Sequence, residues 1–131
     1  MGELPVVGII GAGPAGMMAA LYASRGAARV LLFDTNPIVG RKLLVTGNGR
    51  CNLSNENVAA GRYTCASSAF LEQAFRRYDR QQLLSSLRQL GILTYATFDG
   101  WIYPLSNSAQ TVQEAFAAAL DLAGVELYLQ T

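Results

Sequence analysis

The 131-residue chain contains no histidine. Imidazole acid–base chemistry, histidine metal ligands and a Ser-His-Asp triad are thereby excluded within it. Cysteine is scarce. Cys51 and Cys65 are too few for a disulfide framework, and free thiols in a reducing, cytoplasmic compartment are the expectation. No excess of one charge exists either: 10 Lys+Arg against 9 Asp+Glu leave a formal +1. Beyond Arg76-Arg77 there is no basic run, so a nucleic-acid partner has no electrostatic footprint. Long unbroken apolar runs are also missing. The stretch 6–22 is interrupted by Gly8, Gly11, Gly13, Pro14 and Gly16 and preceded by Glu3, which suits neither a membrane span nor a signal peptide. No membrane partner and no metal site are expected. Chemistry is left to Cys, Tyr, Lys, carboxylates or a borrowed cofactor.

What is present is ordinary globular material, 51% apolar and 15% charged with 13 glycines. That length suits about one domain over 1–131, its core burying roughly two-thirds of the unfolded surface. The run 4–10, "LPVVGII", reads as a buried parallel strand, and "PAGMMAALYASR" from Pro14 as a helix stopped at Gly26. "RVLLFD", 29–34, is a second buried strand, which makes a βαβ unit of an α/β fold. Residues 35–65 have no period, with only "LLV" at 43–45 as a short element, and a segment this long without regular structure points to function.

Two helices follow. Ser67 or Ser68 caps the first, whose apolar face is Phe70, Leu71, Ala74, Phe75 and Tyr78. Asp79 and Gln82 form a capping box for the second, which ends at Gly91. "ILTYATF", Asp99-Gly100 and "WIYP" predict a hairpin. Asn107 and Gln110 are candidate caps for a last helix with Val112, Ala115, Phe116, Ala119, Leu120 and Ala123 on one face, and "VELYL" at 125–129 is a closing strand.

Between the first strand and helix sits Gly11-Ala12-Gly13-Pro14-Ala15-Gly16, with Asp34 ending the next strand 23 residues beyond Gly11. In that context GxGxxG is a dinucleotide fingerprint. Gly11 makes the turn, Gly13 admits a pyrophosphate to the backbone, and Gly16 lets helix and strand pack closely. Pro14 sits where a missing N–H costs little, and free N–H groups at the helix start attract the anion. Asp34 accepts from both ribose hydroxyls and repels a 2′-phosphate. NAD and FAD both use such a turn. The inserted "TNPIVGRKLLVTGNGRCNLSN" favours FAD, because a flavin needs backbone against its ring, which glycine permits, and mixed donors and acceptors such as Asn48 and Asn52.

Together, "GAGPAG…FD…GRKLLVTGNGRCNLSN" resembles the flavoprotein family of aminoacetone-oxidase-like and dehydro-bile-acid-reductase (BaiN-like) enzymes, within the glutathione-reductase-like FAD superfamily. The likeness runs through "FDGWIYPLSNSAQTV" and "GVELYL". It implies a Rossmann-like FAD-binding fold. Members are several times longer, so the chain resembles the N-terminal portion, with the substrate domain and the C-terminal part of the FAD domain absent. The resemblance places the pyrophosphate at 11–16, the ribose at Asp34 beside Thr35, and Arg41 and Lys42 along the adenosine-to-flavin run. Thr46, Gly47, Asn48, Gly49, Arg50, Cys51 and Asn52 then lie against the isoalloxazine. Asp34 stands where the family more often has Glu.

The implied activity is hydride transfer between an organic substrate and flavin N5, with NAD(P)H or oxygen as redox partner of the full-length enzyme and no turnover by this chain alone. No catalytic residue is assigned. The alternatives are a non-catalytic ADP- or NAD-binding module, and a fragment that self-associates through its exposed edge. Cys51 is either a redox thiol or a packing residue. Arg50 either steadies reduced flavin or is a solvated charge, and Trp101 and Tyr103 either line a pocket or pack across the hairpin. Arg76, Arg77 and Arg80 read as a solvated helix face.

Overall fold

A computed structural model describes residues 2–131. The chain divides into two compact units, Met1–Cys51 with Ser108–Thr131, and Asn52–Asn107, where the sequence reading has a single domain.

The first unit is the βαβ core and its return. Strands β1 (Val6–Ile10) and β2 (Arg29–Phe33) pair in parallel around helix α1 (Pro14–Ala23), with Ile9 opposite Leu32. The third sheet strand, Glu126–Tyr128, joins the other side of β2, also in parallel, so β2 is central. This is the parallel Rossmann sheet expected from 4–10, 29–34 and 125–129. The long helix Ala109–Leu122 packs its Ala109, Val112, Phe116 and Leu120 stripe inward, each between 0% and 2% exposed. Burying each of the three larger side chains is worth roughly 1.5–3 kcal/mol. Ala123, placed on that face by the periodicity, is exposed because the helix has already ended.

Three local expectations change. The cap of Ala109–Leu122 is Ser108, whose hydroxyl accepts from the Thr111 N–H, rather than Asn107 or Gln110. Asn107 instead takes a left-handed φ of 49° and accepts from the Tyr95 hydroxyl. The α1 stop is Ser24, whose Oγ donates to the Leu21 carbonyl, before Gly26 is reached. The "buried" first strand is half bare: Val6 and Ile10 are 57% and 92% exposed, since β1 lies at a sheet edge and α1 covers only its Val7 and Ile9 side.

The second unit is antiparallel. Numbered in chain order, it holds β3 (Ser54–Asn55), helices α2 (Ser68–Arg77) and α3 (Arg80–Gln89), then β4 (Thr94–Ala96) and β5 (Trp101–Pro104). The long helix and closing strand of the first unit are then α4 and β6. Ser67 caps α2, and the Asp79–Gln82 box caps α3 with both reciprocal bonds at 2.8 Å. The hairpin forms as predicted, closed by Gly100 at φ 86°. The apolar face of α2 is not buried: none of its residues is, and Phe70 is 63% exposed. Arg80 is no mere solvated charge, because its guanidinium donates to the Glu56 carbonyl at 2.6 Å.

Candidate functional site

The turn from β1 into α1 is set by backbone sterics. Gly11 has φ 100°, a left-handed value that a side chain resists. A Cβ on Gly16 would lie 1.7 Å from the Gly11 carbonyl oxygen, so this pair of glycines is what lets the helix start against the strand. Gly13 differs: a Cβ there would meet nothing within 4 Å. That open space lies beside the start of α1, which has no side-chain cap and no acidic residue in its first turn. The first intrahelical bond runs from Met17 N–H to Gly13 O, so the N–H groups of Ala15 and Gly16 have no carbonyl within the helix. With Pro14 at the first position, this end offers donors and positive potential to an anion.

Asp34 faces that turn and is fixed from three sides. Its Oδ2 accepts from Ala12 N–H at 2.6 Å, and its Oδ1 from both the backbone N–H and the side-chain amide of Asn36, each at 2.7 Å. The Asn36 and Ala12 N–H groups hold the carboxyl below the usual carboxylate range, and it is ionised at neutral pH. Oδ1 thus accepts from two donors and Oδ2 from one. Ala12 is a hub, since its carbonyl accepts from Gly40 N–H at 2.7 Å. Gly40 (φ 69°) is buried and close-packed against Met17 and Gln113, and this docks the following Arg41 and Lys42.

One cavity of about 720 Å³ results, within the range of small-molecule sites. Of the anticipated residues it gathers Gly11, Gly13, Pro14, Ala15, Gly16, Asp34, Arg41 and Lys42. Sequence reading missed Ile10, Ala12, Asn36 and Val45 on the same wall. The only signal for Ala12 was its place inside the fingerprint. Asn36 had none, because its role depends on contacts made in the fold.

The remaining anticipated residues, from Thr35 and from 46–52, do not line that cavity. Thr35 is exposed. The segment Arg41–Gly49 is 3₁₀-like and breaks at Thr46, after which Gly47, Asn48 and Gly49 all have positive φ. Bonds from Arg50 N–H to Gly47 O and from Cys51 N–H to Thr46 O tie the loop to itself, leaving Asn48, Gly49 and Arg50 exposed. Cys51 is fully buried at φ 62°, a conformation costing roughly 1–2 kcal/mol in a non-glycine residue. Burial pushes its thiol up, with the Thr46 hydroxyl partly opposing. Asn52 lies in the second unit, its Oδ1 buried without a hydrogen-bond partner among the described residues. Tyr103 is buried, as packing would have it, while Trp101 is 43% exposed.

Residues 5–131 match the family model described as HI0933-like protein Rossmann domain. A 3-dehydro-bile acid delta(4,6)-reductase of Clostridium scindens is 36% identical over 124 residues, which are 93% of this chain and 30% of that protein. A ribosomal RNA dihydrouridine synthase of Escherichia coli is 31% identical over 123 residues, 94% of this chain and again 30% of the relative. The chain thus spans about a third of the length of these relatives. Among solved structures, THI4 of Thermovibrio ammonificans superposes with a TM-score of 0.62 at 19% identity, over 97% of this chain and 38% of that one, a likeness of fold. No helix among the described residues is long and apolar enough to cross a membrane.

Proposed function

The chain belongs to the HI0933-like Rossmann family, an FAD-binding family, and from that premise we propose that it is the FAD-binding segment of a flavin-dependent oxidoreductase. The observation that carries this reading is the open space over Gly13, beside an uncapped helix start and within one cavity with Asp34. A diphosphate fits there, since no Cβ stands in its way and N–H donors are free to meet it. Ala15 and Gly16 bind the diphosphate, Asp34 takes one ribose hydroxyl, and Arg41 and Lys42 at the cavity wall offset the anion's charge. The loop 46–52 bears on the ring end; its exposed Gly49 backbone and Asn48 amide support that placement.

When bound, the flavin supplies hydride transfer with an organic substrate at N5. The chain's own part is to hold and orient the cofactor, and alone it has no turnover. NAD(P)H or oxygen is the redox partner of the longer enzyme. The compartment is cytoplasmic, in keeping with two cysteines that are both free. Purified protein tests the reading: a flavin absorption spectrum that survives gel filtration supports it. A colourless protein that binds ADP or NAD but not FAD favours a non-catalytic nucleotide module instead.

A second reading rests on the bare side of the Rossmann sheet, where Val6, Ile10 and Tyr128 are 57%, 92% and 40% exposed. On it, the chain associates with a second copy through this surface and its strand edge.

A further inference from the structure

Asn36 stands at the junction of two groups of the cavity. Its backbone and side-chain N–H groups both donate to Asp34 Oδ1 at 2.7 Å. Its own Oδ1 accepts from the Arg41 guanidinium at 2.6 Å. Every polar atom of its side chain is therefore used, with polarity pointing one way along the chain Arg41, Asn36, Asp34. The backbone beneath is clamped as well: Asp34 N–H donates to Tyr128 O, Gln130 N–H to Asn36 O and Thr131 N–H to Asp34 O, at 3.0–3.2 Å. An asparagine merely finishing a turn would not need an exposed arginine on its far side.

We propose that Asn36 is a positioning residue for dinucleotide binding, holding the Asp34 carboxylate so that only Oδ2 faces the ribose while keeping Arg41 at the cavity wall. This inference rests on the reading of the cavity as the FAD site. The physical logic is a relay. The Arg41 charge polarises the Asn36 amide, which strengthens the amide's donation to Asp34. Removing the amide frees Oδ1 and lets the carboxylate rotate, and it releases a long cationic side chain whose ordering must then be supplied on binding. The charged and titratable groups near this relay are few. Arg41 and Lys42 come from the segment 41–49, and α1 brings Tyr22 alone. From β2 and β6 come Arg29 and Glu126, which are paired to each other, and Tyr128, whose hydroxyl donates to Glu126. Any group common to all variants cancels in a comparison.

Isothermal titration of the chain with FAD and, separately, with ADP tests the proposal on Asn36→Ala, Arg41→Ala, the double variant and Asn36→Asp. Asn36→Ala is expected to bind both ligands roughly tenfold more weakly. The double variant should lose less than the product of the single losses, because the two residues act through one path. Asn36→Asp keeps the acceptor for Arg41 but sets a second carboxylate against Asp34. Its affinity for FAD, whose internal diphosphate does not titrate in this window, should rise as pH falls from about 8 to about 5, when one carboxyl gains a proton and becomes the missing donor, whereas the parent stays flat. Arg41→Ala leaves the turn itself intact, so a folding failure of Asn36→Ala does not remove the test.

Binding by Asn36→Ala within twofold of the parent overturns the proposal while the site reading stands. So do strictly multiplicative losses together with a flat Asn36→Asp profile. A parent chain that binds neither FAD nor ADP overturns the site reading, and this inference with it.

Discussion

Gly13 and Gly16, three positions apart, do opposite jobs at the residue scale, and substitution separates them. Gly13→Ala places a methyl in open space at an ordinary φ of −76°, so urea unfolding should shift by no more than about 0.5 kcal/mol while FAD binding is lost. Gly16→Ala drives a methyl into the Gly11 carbonyl, and backbone must move; destabilisation of about 2 kcal/mol or more is expected before any ligand is added. If both variants lose stability alike, the space over Gly13 is not a ligand's. Asp34 gives a second prediction, with its sign fixed by the lowered carboxyl. Its stabilising contribution is complete above the unfolded-state value of about 3.9 and is lost as pH falls through the lower folded value. The stability gap between the parent and Asp34→Asn should accordingly be constant above about pH 5 and close only in stronger acid, as urea titrations at stepped pH would record. The sterics at 11 and 16 were legible in the sequence because backbone geometry dictates the residue type: only glycine fits there. Asn36 was not legible. Its partners are Arg41, a neighbour only through a turn, and the tail at 128–131, which meets it only once β6 has paired with β2.

At the scale of elements, local chemistry wrote most of what could be read. The Asp79–Gln82 box and the Gly100 turn depend on residues within four positions of one another, and both formed as the sequence foretold. The α4 cap lies one residue beyond Asn107 because Asn107 and Ser108 are both good caps, and the Tyr95 hydroxyl engages Asn107. Ser108→Ala should therefore cost about 1 kcal/mol in thermal or urea unfolding, whereas Gln110→Ala, which loses only an exposed bond to Glu114, should stay within a few tenths. The pairing of β3 with β5 is not legible in the sequence, since two residues, Ser54 and Asn55, carry no alternation. Helix α2 illustrates the limit of periodicity, which reports an apolar stripe but not what lies against it. With no buried residue, α2 gains little from packing, while α4 buries four. Amide hydrogen exchange should show the α2 interior opening at least tenfold more readily than the α4 interior.

For the whole molecule, the order β1-β2-β6 puts the most protected strand in the middle and leaves a sheet surface with Val6, Ile10 and the stacked Phe33–Tyr128 pair, rings 5.0 Å apart, uncovered within the first unit. Parallel strands are normally buried on both faces, so this surface carries a standing free-energy penalty of roughly 25 cal/mol for each Å² of apolar area left in water. A cover from a second copy reduces that penalty only at concentrations that favour association, which makes the second reading measurable. Light scattering on gel-filtered chain from about 1 to about 100 μM should show the mass rising toward a dimer. Val6→Lys sets a charge on the bare side, at a position 57% exposed and remote from the 11–16 turn. It should move the midpoint upward by tenfold or more while leaving the unfolding transition and FAD binding as they were. Ile10→Lys is the less clean probe, because Ile10 also lines the cavity at the 11–16 turn. FAD supplied in excess separates the two uses of this region: association driven by the Val6 side persists, whereas association driven by the cavity mouth is competed away. A mass independent of concentration in the parent chain would mean that the bare sheet tolerates water, and would overturn the second reading.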